Sequence, residues 1–318
     1  MSRVVVVGAG VIGLSCAVRL AEAGHDTHVL ARDLPLETTS AAAGGLWLPY
    51  LAEPADDVAR WGRATLAELV RLAAEHEPSV AGVRCTPGTL LHRGADPVRP
   101  RWEHALDGLA ALEAVAEPRP GYRSGWSLTV PLVETTRYLP WLAARLHAAG
   151  GTLTRMPLSV LPQRGLVVNA SGVSARALAA DPSVTPVRGQ VVLVQNPGLD
   201  GWWVDEAEDE EGPLYALPRG DHVVVGGTSA RGDFDLTPDP AAAERILARA
   251  AAVEPALGTA QVLAHRVGLR PSRPTVRLEA VVEDERAVVH CYGHGGAGVT
   301  LSWGCADEVA ALVERLAG

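Results

Sequence analysis

Residues 4–15 read VVVVGAGVIGLS, and the fold of the chain follows from this stretch. The four valines predict a buried strand, because β-branched residues favour extended backbone and an uninterrupted apolar run suits a strand covered on both faces. Gly8, Gly10 and Gly13 follow in the G-x-G-x-x-G spacing that opens a dinucleotide-binding βαβ unit. The first glycine allows a tight turn, the second lets the backbone approach a pyrophosphate, and the third lets the helix pack on the strand. We therefore expect phosphates at the helix N-terminus, with a purely structural turn as the alternative.

Length and composition place broad limits on the function. The chain has 318 residues, of which 47% are hydrophobic, so two domains are expected. The net charge of −9 argues against a nucleic acid partner, because phosphate binding needs a basic face. Four cysteines without C-x-x-C spacing favour free thiols, a reducing compartment and no metal site. The chain starts on its first strand and has no apolar run of 18 residues, so we expect no signal peptide, no membrane contact and a cytoplasmic location.

The second strand gives the first indication of which dinucleotide binds. Residues Asp26–Ala31 predict this strand, and a nicotinamide site would need an acid at its end to hold the adenosine ribose. Ala31 and Arg32 occupy that place, and the nearest carboxylate is Asp33, 20 residues after Gly13. Asp33 is a candidate for the ribose contact and Arg32 for a phosphate contact, although an exposed charge at a strand end explains Arg32 equally well. The misfit argues against an ordinary NAD site.

The following segment, residues 34–50, offers room for a second cofactor moiety. Thr38, Thr39 and Ser40 supply consecutive hydroxyl groups, and residues 41–45 are small enough for a bulky group to lie against the backbone. An isoalloxazine ring packed there would explain a segment that a pure NAD domain does not need. The alternative is a short helix of small residues with Thr and Ser at its N-cap.

The rest of the chain predicts alternating helices and strands. Helices are expected over residues 11–23, 60–75, 102–115, 136–149, 240–252 and from the C-terminal glycines to residue 316. Three closely spaced strands, residues 189–194, 214–217 and 222–227, have no helix between them, which indicates an antiparallel sheet. These patterns predict an α/β fold in which a Rossmann-like cofactor domain interleaves with an α+β substrate domain on a mixed, largely antiparallel sheet.

The C-terminal part of the chain carries the most specific pattern. Residues 288–306 read VVHCYGHGGAGVTLSWGCA, which predicts a strand, a glycine cluster and an apolar helix whose N-terminus stabilises negative charge. Upstream, Arg270 lies in the sequence VGLRPSRP, on an expected proline-bounded turn that suits bidentate capture of a carboxylate. The alternative for Arg270 is an ordinary surface ion pair.

Several blocks of the chain resemble the family of FAD-dependent D-amino-acid oxidases and D-aspartate oxidases. The resemblance rests on GAGVIGLS, ARDLP, AAGGLWLPY, VVNASGV, YALP, GLRPSRP and HCYGHGGAGVTLSWGCA. It implies non-covalent FAD in a Rossmann-like domain formed by residues 1–50, 136–185 and 266–318. A substrate domain would then comprise residues 51–135 and 186–265.

The resemblance also implies which residues contact FAD. The pyrophosphate would lie against the glycine turn, the flavin along residues 44–46, and the adenine and ribose near Met156 and Ser171. The C-terminal glycines would face the pyrimidine end of the flavin, where the charge of the reduced cofactor gathers. The implied cofactor contacts are Gly8, Gly10, Val11, Ile12, Gly13, Arg32, Asp33, Thr38, Thr39, Ser40, Gly44, Gly45, Leu46, Met156, Ser171, Gly295, Gly296, Val299 and Thr300.

For the substrate, the resemblance implies three direct contacts. Arg270 would pair with the α-carboxylate, the Tyr215 hydroxyl would donate to the same group, and the Gly296 carbonyl would accept from the amine. Hydride transfer from Cα to flavin N5 needs orientation and a neutral amine more than a protein base, so His290 and His294 are expected to be structural. The candidates for the side-chain pocket, which ordinary core packing would also explain, are Leu46, Leu48, Tyr50 and Trp203.

The implied reaction oxidises a neutral D-amino acid, with O2 as acceptor, to hydrogen peroxide and an imino acid that hydrolyses to the 2-oxo acid and ammonia. Related alternatives are a D-aspartate, glycine or sarcosine oxidase, and a flavin-binding protein without turnover. The stretch Asp205–Pro213 has no tyrosine of the kind that family members carry on an active-site lid, which predicts an open pocket and faster product release. The C-terminus reads LAG rather than a peroxisomal signal, which favours a bacterial cytoplasm. Assembly into a homodimer stays open.

Overall fold

The computed structural model describes residues 2–49, 52–207, 212–283 and 285–318. Its helices are α1 (Val11–Glu22), α2 (Thr39–Ala42), α3 (Ala55–Glu75), α4 (Pro78–Ala81), α5 (Thr135–Ala148), α6 (Ala175–Leu178), α7 (Pro240–Val253) and α8 (Gly298–Ala317). Its strands are β1 (Arg3–Val7), β2 (Asp26–Ala31), β3 (Val83–His92), β4 (Glu113–Arg119), β5 (Tyr122–Val133), β6 (Thr152–Arg155), β7 (Gly165–Asn169), β8 (Thr185–Gln195), β9 (Trp202–Asp205), β10 (Leu214–Arg219), β11 (His222–Gly226), β12 (Ala230–Arg231), β13 (Val262–Glu283) and β14 (Arg286–His294). Across the described residues, no helix has both the length and the apolar character that a membrane crossing requires.

The strands form one mixed sheet. Its order is β4-β5-β3-β9-β10-β11-β8-β13-β14-β7-β1-β2-β6, and β12 pairs with β8. Neighbours from β6 to β14 are parallel, whereas every pair from β14 to β9 is antiparallel. This arrangement confirms the predicted α/β fold with a Rossmann-like part and a largely antiparallel part, including the antiparallel strands expected without intervening helices. The domain boundaries given above stay a prediction.

The first parallel unit forms where the glycine pattern predicts it. β1 pairs with β2 on one side and β7 on the other, and Val4 and Val6 are fully buried between them. α1 begins at Val11, and Gly24 follows its end with φ of +89°, the left-handed conformation that closes a helix. Contacts with α5 and α8 cover the helix, which fixes its N-terminus beyond the carboxyl end of β1.

Side chains of the antiparallel part alternate between two cores, because successive residues of a strand point to opposite faces. Val204 and Leu217 belong to the main core, which also includes residues of α1, α3, α5 and α8. Trp203 and Ala216 lie on the other face and pack with Ile246 of α7. A shift of one residue along a strand therefore decides which core a side chain joins.

Two predictions about local structure are wrong. Residues 102–115 do not form a helix, because Gly108 adopts φ of +73° and the following residues pair with β5 as strand β4. Arg270 does not lie on a turn: β13 continues through it, and it lies opposite Val187 of β8 in the antiparallel register. The prolines around Arg270 are typical of a turn, but Pro271 lies opposite Pro186, where the ladder continues.

Candidate active site

A cleft of about 1050 Å³ lies at the carboxyl ends of β1, β7 and β14 and extends over β8, β10 and β13. Ligands of open α/β sheets bind at this edge. The predicted site residues that line it are Gly8, Gly10, Val11, Ile12, Arg32, Asp33, Thr38, Thr39, Ser40, Gly44, Gly45, Leu46, Leu48, Met156, Ser171, Tyr215, Arg270, Gly295, Gly296 and Val299. Gly13, Trp203 and Thr300 do not line it, and Tyr50 lies outside the described residues.

The glycine turn leaves no space for side chains. Gly8 has φ of +114°, and a Cβ on it would lie 2.4 Å from the Ala170 carbonyl oxygen. A Cβ on Gly13 would lie 2.0 Å from the Gly8 oxygen, so Gly13 allows α1 to pack directly on the turn. This close packing explains why Gly13 is buried beneath the cleft and not exposed to it. The pattern therefore serves the geometry expected of a pyrophosphate site.

The N-terminus of α1 opens into the cleft next to Ser40. Gly10 is the N-cap residue and, as a glycine, has no side chain to cap the helix, and the first turn of α1 carries no acidic residue. The Val11 N–H donates to Ser40 Oγ over 3.0 Å, which places α2 directly against this helix end. The uncompensated N–H groups and the helix dipole favour an anionic ligand here.

Arg32 and Asp33 form an ion pair at the end of the cleft where the resemblance places the adenosine. The Arg32 guanidinium donates to both oxygens of Asp33, with Nη2 to Oδ2 at 2.7 Å, and both side chains are partly exposed. This hydrogen bond raises the pKa of Arg32 above its ordinary value. Met156 lies nearby, half exposed, and its N–H donates to the Ala31 carbonyl. The acid that a nicotinamide domain would place on the ribose is thus engaged with its neighbour.

Ser171 is held by a buried amide and imidazole at the end of β7. Asn169 Oδ1 accepts from the Ser171 hydroxyl at 2.6 Å, and Asn169 Nδ2 lies 3.2 Å from His290 Nδ1. Burial, together with the nearby Arg277, lowers the pKa of His290 to about 4. A neutral His290 offers its ring nitrogen as an acceptor to the amide, which is a structural arrangement.

The middle wall of the cleft is made of closely packed small residues. A Cβ on Gly44 would lie 2.8 Å from Leu217 Cδ1, and one on Gly45, whose φ is +72°, would lie 2.1 Å from the Val133 oxygen. The Gly45 carbonyl accepts from the Val133 N–H, which ties the wall to β5. Behind the wall, buried Arg219 donates to the carbonyls of Ala43 and Gly44. The small-residue run is therefore held from behind and has no space for larger side chains.

Arg270 lies flat against the backbone of β8. A Cβ on Gly189 would lie 2.5 Å from Arg270 Cζ and from both of its terminal nitrogens. Arg270 Nη1 donates to the Thr228 carbonyl over 3.0 Å, and no carboxylate of the described residues forms an ion pair with it. The side chain is half-buried and lines the cleft. An unneutralised guanidinium in this position suits an anionic ligand group.

Tyr215 rests on a second glycine position beside Arg270. A Cβ on Gly226 would lie 2.2 Å from Tyr215 Cζ and 2.4 Å from its hydroxyl oxygen. Residues 226–228 thus contact the Tyr215 ring at one end and the Arg270 guanidinium at the other. The two side chains converge on one part of the cleft. Sequence reasoning missed Gly189 and Gly226, because only strand pairing shows which side chain lies over which glycine.

The pocket beside this pair is apolar. Leu46 and Leu48 line it as expected, and Val191, Val204 and Leu217 add to it. The prediction for Trp203 is not supported by its placement, because Trp203 is fully buried in the core on the opposite face of β9. Its neighbour Val204 is the residue of β9 that faces the cleft. Strand alternation is the signal that distinguishes the two, but the sequence does not say which face is inward.

The C-terminal glycines form the remaining wall. Gly295, exposed Gly296 and Val299 line the cleft, and the Gly295 N–H donates to the Pro271 carbonyl, next to Arg270. α8 begins at Gly298 without an acidic residue in its first turn, so its positive end is open to the cleft. Thr300 is buried within the same first turn, and its hydroxyl accepts from the N–H of Leu48 and donates to the carbonyl of Leu48. Thr300 thus supports the wall from behind.

Three buried soft side chains lie together beneath this wall. The ligand atoms of Cys291, His294 and Cys305 lie within 4.8 Å of one another. Burial lowers the pKa of His294 to about 4, and burial raises the pKa of the Cys305 thiol. His294 Nε2 lies 3.5 Å from Cys305 Sγ and 4.0 Å from Cys291 Sγ, so the group joins α8 to β14.

The mouth of the cleft has an apolar rim that the sequence did not indicate. Phe234 and Leu236 line the cleft and are 57% and 59% exposed. Arg188 is buried on the face of β8 that is turned away from the cleft. It holds the segment of Phe234 and Leu236 in place by donating to the carbonyls of Asp235 and Thr237. In the stretch expected to lack a lid, residues 208–211 lie outside the described residues. The pocket's openness stays a prediction.

The comparisons with known proteins agree with this geometry. The model of a family described as FAD dependent oxidoreductase matches residues 3–312. The chain is 47% identical to a D-amino-acid oxidase of Rubrobacter xylanophilus, over 98% of this chain and 96% of that protein. It is 44% identical to a D-amino-acid oxidase of Streptomyces coelicolor over the same shares, and 37% identical to the human D-aspartate oxidase over 99% and 95%.

Among solved structures, the fold is similar to glycine oxidase of Bacillus cereus, with a TM-score of 0.79, 23% identity, and coverage of 99% of this chain and 96% of that chain. The FAD-bound L-alpha-glycerophosphate oxidase of Mycoplasma pneumoniae matches with a TM-score of 0.80, 14% identity, and coverage of 99% and 95%. At these identities the structures indicate the fold alone.

Proposed function

Because the chain belongs to the family of FAD-dependent oxidoreductases, it uses FAD, and we propose that it is a D-amino-acid oxidase. The relatives that carry this name share 44% and 47% identity with nearly the whole chain. The observation that carries the proposal is the convergence of Arg270 and Tyr215 at one end of a cleft whose other end is the dinucleotide turn. A carboxylate clamp beside a redox cofactor is what oxidation of an amino acid requires.

The residues of the cleft fit FAD. The Gly8–Gly13 turn and the open N-terminus of α1 suit the pyrophosphate, and Gly44 and Gly45, which line the cleft without side chains, would leave room for a ring. Bound there, FAD would supply a two-electron oxidant that accepts a hydride from the substrate Cα and is reoxidised by O2, which with two electrons and two protons becomes hydrogen peroxide. The imino acid then hydrolyses to the 2-oxo acid and ammonia.

Arg270 and Tyr215 would orient the substrate through its carboxylate. The guanidinium presents two parallel N–H groups, and the tyrosine hydroxyl donates a third hydrogen bond to the same group. Gly189 and Gly226 hold both side chains against the sheet, so little freedom is lost when the substrate binds. The Gly296 carbonyl would accept from the amine. Together these contacts would limit the substrate to one orientation of its Cα–H bond relative to the cofactor, and the panel of D- and L-amino acids below tests which enantiomer this orientation favours.

The substrate end offers no general base among the described residues. The acids that line the cleft, Asp33 and Glu37, belong to the dinucleotide end, and burial keeps His294 neutral with a pKa of about 4. The substrate amine would therefore lose its proton to water before hydride transfer. Catalysis would rest on orientation and on FAD rather than on proton abstraction by a side chain.

The apolar pocket favours neutral D-amino acids. Leu46, Leu48, Val204 and Leu217 surround the space next to the clamp, and an acidic side chain there would need a second cation. The alternative of a D-aspartate oxidase is supported by the 37% identity to the human enzyme. A glycine or sarcosine oxidase would leave the apolar pocket unused, and a flavin protein without turnover would have no need for the clamp.

The test is anaerobic reduction of the purified holoenzyme with a panel of amino acids. D-alanine, D-methionine and D-phenylalanine should bleach the flavin absorbance, whereas their L-enantiomers should not. D-aspartate should react at least about tenfold less efficiently, because its side chain would be buried without a partner. Preferential reduction by D-aspartate or glycine would transfer the proposal to those substrates. No reduction by any amino acid, with intact reduction by dithionite, would favour the protein without turnover.

We further propose molecular oxygen as the second substrate, residence in the bacterial cytoplasm, and the two-domain division given above. The free state of all four cysteines is compatible with a reducing compartment. A homodimer is an open expectation that analytical ultracentrifugation of the holoenzyme would decide.

A further inference from the structure

Arg219 is a buried cation without a counter-ion behind the cofactor wall. It lies at the end of β10 and is 2% exposed. Its Nη2 donates to the carbonyls of Ala43, at 3.0 Å, and Gly44, while its Nε and Nη1 have no partner among the described residues. A buried charge with unsatisfied donors costs free energy, so its presence calls for an explanation.

The surroundings of Arg219 do not neutralise it. Burial lowers the pKa of Arg219 to about 10, and the positive charge of Arg266 nearby adds to this decrease. Arg219 therefore stays charged at neutral pH. The acid Glu134 raises the pKa of Arg219 by less than Arg266 lowers it, and Glu134 forms an ion pair with Arg137 at 3.0 Å. Arg266 itself reaches the Ala41 carbonyl at 3.3 Å. Arg219 and Arg266 thus both donate to backbone carbonyls of residues 41–44. Their positive charges lie on the side of the wall that faces away from the cleft.

The position of Arg219 on its strand directs this charge toward the cleft. Alternate residues of β10 share a face, so Arg219 follows Tyr215 and Leu217 on the side of the cofactor. Leu217 lies under Gly44, and Arg219 Nη2 would be 3.0 Å from a Cβ on Gly45. Arg219 itself does not line the cleft. It is therefore one backbone layer away from any ligand that rests on Gly44 and Gly45.

The hydrogen bonds of Arg219 also set the direction of two peptide groups. In a trans peptide the N–H points opposite to the C=O. With the Ala43 and Gly44 carbonyls turned to Arg219, the N–H groups of Gly44 and Gly45 point toward the cleft. Neither N–H has an acceptor among the described residues. They are free donors on the wall expected to meet the flavin.

We propose that Arg219 is a positioning residue for FAD that orients the Gly44 and Gly45 N–H groups and favours the reduced cofactor through its unpaired charge. Transfer of a hydride to neutral oxidised flavin adds one proton and two electrons, so the reduced product carries one more negative charge. A fixed cation one backbone layer away stabilises that product more than the neutral oxidised form. The inference rests on FAD occupying this cleft and does not depend on which amino acid is oxidised.

The test measures the two-electron midpoint potential of bound FAD by equilibration with reference dyes, together with the dissociation constant of oxidised FAD. Arg219→Met keeps the length of the side chain but removes the charge. We expect the equilibrium constant for reduction to fall at least tenfold, which corresponds to a potential lower by about 30 mV for a two-electron couple. Arg219→Lys keeps the charge without the planar fork, so its equilibrium constant should stay within threefold of wild type while FAD binds more weakly.

Arg188→Met is the matched control. Arg188 is also a buried arginine that donates to two backbone carbonyls, those of Asp235 and Thr237. Unlike Arg219 it has an acid nearby, Asp233 at 3.7 Å, and it lies on the face of β8 that is turned away from the cofactor wall. Its replacement should lower thermal stability and leave the potential unchanged. If Arg219→Met weakens the binding of oxidised and reduced FAD equally, the potential is unchanged and the proposal is overturned.

Two results keep the test decisive if Arg219→Met does not fold. A tenfold fall in the equilibrium constant for Arg219→Lys would contradict the role of the charge. In the unaltered holoenzyme, FAD should have a midpoint potential above that of free FAD, and a value at or below it would refute the proposal. These measurements use dyes and a chemical reductant, so they stand apart from the amino-acid panel that tests the proposed function.

Discussion

At the scale of single residues, the carboxylate clamp proposed for Arg270 and Tyr215 depends on the glycines against which these side chains pack, Gly189 and Gly226. The Arg270 guanidinium occupies the space that a Cβ on Gly189 would fill, with a separation of 2.5 Å. In Gly189→Ala, the end of the Arg270 side chain must move, and the clamp loses its alignment. We expect KM to rise and kcat/KM to fall about tenfold or more, as in Arg270→Leu, which removes a charge-assisted contact of roughly 1.5–3 kcal/mol.

Steady-state kinetics with D-alanine and fluorescence titration with FAD would measure this effect. FAD affinity should be unchanged, because Gly189 lies at the substrate end of the cleft. Gly94→Ala is a suitable control, since its nearest neighbour would be 3.8 Å away, and it should behave as wild type. Normal kinetics for Gly189→Ala would disprove the importance of this close approach.

At the scale of elements, the packing of α1 on β1 determines whether the cofactor site forms. A Cβ on Gly13 would lie 2.0 Å from the Gly8 oxygen, and this backbone atom cannot move away as a side chain could. Gly13→Ala should therefore displace α1, weaken FAD binding at least about tenfold, and cost roughly 1–3 kcal/mol of stability through overpacking. Equilibrium dialysis against FAD and thermal unfolding would measure both effects.

Gly62→Ala in α3 provides the comparison within a helix. Its added Cβ would meet Trp47 at 3.7 Å, an ordinary contact, so a gain in helix propensity is expected without loss of FAD. If Gly13→Ala bound FAD as tightly as Gly62→Ala, the close approach of α1 to the turn would not be required for the site.

At the scale of the whole molecule, buried imidazoles link stability to pH. Burial lowers the pKa of His290 and His294 to about 4 in the folded protein, from an ordinary value of 6.5. Between these limits the unfolded chain binds more protons, so the free energy of unfolding falls as pH falls from 6.5 toward 4. Glu206, whose pKa burial raises to about 7, acts in the opposite direction between its ordinary value of 4.5 and 7.

Each imidazole contributes a slope of about 1.4 kcal/mol per pH unit in this window. His290→Gln should remove one such contribution, and Glu206→Gln should make the decline toward low pH steeper. Urea unfolding of the holoenzyme at pH 4.5 to 6.5 would measure the slopes. Equal slopes for wild type and His290→Gln would show that His290 is not held neutral in the folded state.

The predictable and unpredictable parts of the molecule differ in the range of the interactions that set them. The βαβ unit, the position of α8 and the antiparallel strands follow from local apolar patterns and glycine spacing. The segment at residues 102–115 was predicted as a helix because leucines recur at helical spacing, but pairing with β5 overrides that preference. Trp203 was assigned to the pocket because residue type alone does not tell which face of β9 is inward.

Short motifs encode backbone geometry and chemistry locally, so the residues alone predict the cofactor class, the dinucleotide turn, and the resemblance that singles out Arg270 and Tyr215. What those side chains pack against is visible only in the folded chain: Gly189 beneath Arg270, Gly226 beneath Tyr215, and Arg219 behind the cofactor wall. Each of these contacts joins residues far apart in the chain through strand register. Register depends on the pairing of the complete sheet, so no single stretch of sequence contains it.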